Sequence, residues 1–311
     1  MAINFTDRNG AVIQFVRVYL IFWGSAWASN PTPTAAQVTD AINRIVSGGY
    51  LTGLSQYRGI GQGYVLGSTT VTSSNPPSGF TDANVSTFIK GLISAGTIPD
   101  LDAENQTLYV VYMPKGISAS NSGFIGEHTY YTNSGGRRVH FGWITNNGTL
   151  SSVSIISSHE IVEAMTDPEG SAILGDPGTC AQGGWCEIGD VCGSSGTVNG
   201  ASVQSYWSQT DKACKIFDYP SQTFPFVGKQ FTGTVAANAS HRWFTFNWPA
   251  WQQVFWTVMP TTVDTANPQL RCSVEVQRSS GAFITYWITI ANTTNVPVTF
   301  DARYEVLGRW Q

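Results

Sequence analysis

The chain has 311 residues and a formal net charge of −4, with no basic tract. This leaves no electrostatic hold on a phosphate backbone and excludes nucleic acid as a partner. Charged residues make up 12% of the chain, well under the roughly 25% usual for soluble domains, while Gly, Ser, Thr, Asn and aromatic residues are abundant, a composition common among secreted proteins.

Asp7 and Arg8 precede any apolar stretch and no small-residue cleavage site follows, so the N-terminus does not read as a secretory signal; a mature form or a non-standard export route is expected. The longest apolar run, Val16 to Trp23, contains Arg17 and falls far short of the roughly 20 residues that span a bilayer, so no transmembrane segment is expected. Together with Val12 to Phe15 it is rich in β-branched and aromatic residues and predicts a central strand ended by Gly24. Val38, Ala41, Ile42, Ile45 and Val46 then recur at helical spacing until Gly48-Gly49. Thr81-Asp82 caps a second helix carrying Val85, Phe88, Ile89 and Leu92, and Thr107 to Met113 predicts a strand ended by Pro114. His128 follows Gly126-Glu127 in a predicted loop, where functional groups concentrate, whereas His140 lies in a predicted strand, Arg138 to Ile144, as a packed residue.

The helix expected from Thr149 or Ser151 carries the residues of chemical interest, His159-Glu160-Ile161-Val162-Glu163. His159 and Glu163 lie four apart and stack one turn from each other, so both can grip one ion, while Glu160 stands beside them as a general base for water. The same division of labour operates in the His-Glu-x-x-His helix of zinc peptidases; here Glu163 occupies the place of the second histidine, and carboxylates also serve as zinc ligands. Thr166-Asp167-Pro168 closes the helix. Glu187 and Asp190 follow in a cysteine-rich loop, as a third zinc ligand or, with Asp167, as an oxygen-only calcium site. Cys180, Cys186, Cys192 and Cys214 permit three pairings. Cys180–Cys186 with Cys192–Cys214 is favoured because each closes a local loop, and the absence of Cys-x-x-Cys spacing argues against a zinc knuckle. Cys272 is left as a buried free thiol.

Alternating strands and helices predict an α/β domain over residues 1–220, of zincin-like type if the helix holds zinc. Pro220 to Pro225 reads as a linker, and the short alternating runs beyond it, such as Arg242 to Phe246, Val254 to Val258 and Ala282 to Ile290, predict an all-β sandwich over 221–311. His241 lies there as a structural residue. Trp243 and Trp287 are expected in the sandwich core, and Trp248 and Trp251, read as a turn, form a candidate surface for glycan or lipid.

The chain resembles the Exordium, or phosphate-induced protein, family of secreted plant proteins and their bacterial relatives over about residues 15–216. The resemblance rests on Ile21-Phe22-Trp23-Gly24, on Ser47 to Tyr57, on Gly126-Glu127-His128, on His159 to Ala164 with Thr166-Asp167-Pro168, on Glu187 to Cys192, and on Gln204 to Ser208 before Cys214. It implies an exported protein with its site at the same acidic cluster; the Trp-rich C-terminal portion lies outside it. The expected function is that of a secreted zinc-dependent hydrolase acting on peptide or protein. The alternative is a non-catalytic extracellular protein that holds structural calcium and binds glycan or membrane through its C-terminal domain.

Overall fold

The structure, a computed structural model, describes residues 3–102, 104–121, 123–180, 186–218, 226–249, 252–265, 267–280 and 283–309. The chain divides into two compact units, Met1–Tyr219 and Pro220–Gln311. The expected linker from Pro220 to Pro225 lies outside the described residues, as does Trp251.

In the first unit the order is β1 (Phe5–Asp7), β2 (Arg17–Trp23), α1 (Ala35–Val46), a 3-10 segment (Gly49–Gln56), β3 (Tyr64–Val71), α2 (Asp82–Ser94), β4 (Thr107–Lys115), β5 (Gly126–Thr132), β6 (Arg138–Asn146), α3 (Leu150–Thr166) and β7 (Ile173–Gly175). Four short strands follow: β8 (Ser195–Val198), β9 (Ala201–Gln204), β10 (Tyr206–Ser208) and β11 (Ala213–Lys215). Strands β3, β2, β4, β6 and β5 form one sheet in that order, parallel throughout except for β5, which runs antiparallel to β6. The hairpin of β8 with β9 packs β9 against α3, and β1 pairs with β7.

Strand β2 explains the unbroken apolar run in the sequence. Val18, Leu20 and Phe22 face a core shared with α1 and α3, while Tyr19, Ile21 and Trp23 face a core shared with α2, so both faces need apolar side chains. The strand begins at Arg17 rather than Val12, because the chain before it is drawn off the sheet: the Ile13 N–H donates to the Met165 carbonyl at the end of α3. Helices α1 and α2 start at Thr34 and Thr81, each with a reciprocal capping box to Gln37 and Asn84. The polar edge strand β3 escaped the sequence reading, and so did β5. His128 therefore sits in a strand and not in a loop, its ring buried.

The second unit holds two antiparallel three-stranded sheets, β12 (Phe226–Val235), β17 (Val298–Arg309) and β14 (Gln252–Pro260) in one, β13 (Ser240–Pro249), β16 (Phe283–Asn292) and β15 (Leu270–Arg278) in the other. Their shared core of Val235, Trp256, Tyr286, Ile288, Ile290, Phe300 and Ala302 makes it a β-sandwich. Trp243 packs onto this core, as expected, but Trp287 points to the outer face against Phe244 and Arg242, because its neighbours Tyr286 and Ile288 take the inward positions of the strand. Trp248 is not a turn residue: it lies within β13, edge-on to Trp256 and Tyr304, with its indole N–H donated to Thr245. Cys272 is half-buried rather than fully buried.

Candidate metal centre

Helix α3 builds the site. Thr149 caps it through the Ser152 N–H, and the helix is buried almost all round, so its acidic residues are carried into the interior instead of along a solvated edge. His159, Glu160 and Glu163 leave the same side of the helix toward β5 and the loop before β8.

Two groups of donors form there, and Glu163 belongs to both. The outer group is His159, Glu163 and Asp190, with ligand atoms within 4.8 Å of one another. His159 Nε2 lies 3.0 Å from Glu163 Oε2 and 3.8 Å from Asp190 Oδ1, and the exposed Asp190 opens this group to solvent. The inner group is His128, Glu160 and Glu163, all buried and with ligand atoms equally close. His128 reaches Glu160 Oε2 through Nδ1 at 3.3 Å; its Nε2 faces the Asp167 carbonyl at 3.3 Å and Glu187 Oε1 at 3.2 Å. The Glu187 contact is close in charge but not aligned as a hydrogen bond, and Glu187 Oε1, like Asp167 Oδ2, is a buried oxygen with no hydrogen-bond partner.

All the acids singled out in the sequence thus come together with both histidines, in unequal roles. Asp167 caps the helix end and accepts from the Ser171 and Ala172 N–H groups through Oδ1, both at 2.6 Å. Asp190 Oδ2 accepts from the Glu187 N–H at 3.0 Å. Among the described residues each such group of three donor side chains contains a histidine. His140 pairs with Glu169 at 3.1 Å and belongs to neither donor group.

Electrostatically the cluster is short of positive charge. Glu160, Glu163, Asp167, Glu187 and Asp190 face only His128 and His159, and among the described residues no Lys or Arg forms an ion pair with any of them. Burial, helped by Glu187 and Asp190, pushes the Glu163 carboxyl up to about 8 against the opposing pull of His159, and burial likewise raises Asp167 and Asp190. Burial works to lower both histidines, but the surrounding carboxylates reverse it, taking His159 to about 10 and His128 well above its ordinary value.

Three residues that the sequence reading did not place at the site hold it in shape. Gly189 donates its N–H to Glu163 Oε1 at 3.1 Å, and a Cβ there would meet Glu163 Oε1 and His159 Nδ1, both at 2.7 Å. Gly126 gives Glu160 its room, since a Cβ there would stand 2.6 Å from Glu160 Oε1. The side-chain amide of Gln204 donates to the carbonyls of Cys192 (2.7 Å) and Gly189 (3.1 Å) and meets His159 Nδ1 at 2.9 Å. His159 Nε2 faces Glu163 Oε2 at 3.0 Å, so a cation at Nε2 has to displace the ring proton held between them. Glycine at a close approach is the signal that could have been read for Gly126 and Gly189; Gln204 left only its place in the Gln204 to Ser208 segment of the resemblance.

The loop carrying Glu187 and Asp190 is clamped at both ends. Cys180–Cys186 closes just before Glu187 and Cys192–Cys214 just after Asp190, with Cα separations of 5.8 Å and 5.6 Å, the pairing favoured from the sequence. No family model matches the chain, and no curated protein or solved structure matches it.

Proposed function

We propose that the protein is a metal-dependent hydrolase of peptide bonds, with its divalent cation held by His159, Glu163 and Asp190. The observation that carries this reading is the convergence of those three donors at the solvent-open side of a buried cluster that no described Lys or Arg neutralises. A nitrogen donor with two carboxylates suits zinc better than calcium, which takes oxygen ligands alone. When bound, zinc supplies Lewis-acid polarisation of the scissile carbonyl and lowers the pKa of water.

The chain's own residues do the rest. Glu160, one residue beyond His159 on the helix, accepts the proton that water gives up and later delivers it to the leaving amine. Gly189 and Gln204 fix the positions of Glu163 and His159, and the exposed edge at Asp190 admits the substrate. Two disulfides in one loop system favour an oxidising compartment, and no helix of the described residues is long and apolar enough to cross a membrane; with the Exordium resemblance, these support a secreted protein.

The test is metal analysis of protein purified without chelator, paired with Glu160→Gln. Stoichiometric zinc that survives in Glu160→Gln, with hydrolysis of a quenched fluorescent protein substrate reduced roughly 10²- to 10⁴-fold, is the expected result. Calcium alone or no metal, with behaviour unchanged in the variant, would remove the enzyme reading.

A further inference from the structure

Glu163 is common to both donor groups, so the buried group of His128, Glu160 and Glu163 abuts the one assigned above. We propose that this inner group binds a second divalent cation that inhibits the enzyme, because coordination takes the Glu160 carboxylate away from proton transfer. The proposal rests on the hydrolase reading, and it concerns the regulation of the same site.

The donor geometry supports it. His128 Nδ1 and Glu160 Oε2 are 3.3 Å apart, close to the roughly 3.3 Å that separates two ligands each about 2.0 Å from a tetrahedral zinc ion. On the far side of the ring, Nε2 lies 3.3 Å from the Asp167 carbonyl, so Nε2 keeps its proton there while a cation displaces the one on Nδ1.

The charge around His128 points the same way. Glu187 is only 5% exposed, and its Oε1 lies 3.2 Å from His128 Nε2 without an aligned hydrogen bond, so behind the ring a second buried carboxylate orients the imidazole whose Nδ1 faces the donors. One cation in the outer group meets Glu163 and Asp190 but leaves the Glu160 and Glu187 carboxylates to a single imidazole. A second cation beside His128 brings the missing charge without admitting water to the interior.

The test is a calorimetric titration of zinc into the chelator-stripped full chain, followed in parallel by hydrolysis of the fluorescent protein substrate. Two equivalents are expected, with hydrolysis rising across the first and falling across the second. His128→Gln should lose the second equivalent and the fall, and Glu187→Gln, a milder change should the first variant not fold, should weaken the second step about 10- to 100-fold. One equivalent with hydrolysis that stays level in excess zinc overturns the second site and leaves the hydrolase reading standing. A second equivalent that persists unchanged in both variants also overturns it. No hydrolysis at any occupancy sinks the hydrolase reading, and the inhibition with it.

Discussion

Gly189→Ala is the sharpest probe of the outer donor group. The new Cβ would stand 2.7 Å from both Glu163 Oε1 and His159 Nδ1, about 0.7 Å inside the 3.4 Å at which ordinary contact begins. The loop cannot easily retreat, because the Gly189 carbonyl accepts from Gln204 and from the Cys192 N–H, and Cys192 is tied to Cys214. An overlap of this kind costs about 1–3 kcal/mol. It is relieved only by moving Glu163 or His159, which also strains the Gly189 N–H bond to Glu163. Zinc affinity, read by competition with a chromophoric chelator, is expected to fall about 10- to 100-fold, equivalent to about 1.4–2.8 kcal/mol. Gly193→Ala in the same loop is the control: its Cβ would meet nothing within 4 Å, and affinity should be unchanged. If Gly189→Ala binds zinc within about twofold of the parent with the same Tm, the donor group does not hold the cation through Glu163 and His159.

Zinc uptake should release protons and strengthen as pH rises from 6 to 8, because the cation must displace the ring proton shared by His159 and Glu163 and the proton that burial retains on Glu163, whose pKa is about 8; calorimetry in buffers of different ionisation enthalpy measures the protons released, and a pH-independent affinity would contradict it. Chelation should lower the Tm, since free zinc at 100 times its Kd stabilises the folded chain by about 2.7 kcal/mol, and adding zinc back should restore it. Burial holds Tyr50 and Tyr112 well above the usual phenol range. The folded state therefore keeps these protons more tightly than the unfolded chain, so stability is intact below about pH 10 and falls by up to about 1.4 kcal/mol per unit above it for each tyrosine. Urea midpoints at pH 9 and pH 11 measure the slope, and Tyr112→Phe should make it shallower.

The resemblance between the sequence reading and the structure is strongest where patterns are local. Thr81 announces its helix because capping needs only residues three apart, and β2 and β4 announce central strands because Val18 to Trp23 and Leu108 to Met113 are unbroken runs of apolar and aromatic residues. The disulfides were legible for the same reason, each closing a short loop. Strand β5 was not: it lies at the sheet edge, half of it polar, and its glycine and histidine look like loop residues until β6 pairs with them. Trp248 and Trp287 were misplaced because alternation along a strand leaves open which face turns inward, and a partner sheet makes that choice.

From the sequence alone came the helix that carries His159, Glu160 and Glu163, since spacing along one helix fixes which side chains share a face. The tertiary fold decided that Glu163 belongs to two donor groups, that His128 arrives from β5, and that Gly189 and Gln204 close around His159. Those contacts join residues far apart along the chain, and only the packing of β5, β9 and the clamped loop around α3 brings them within bonding distance.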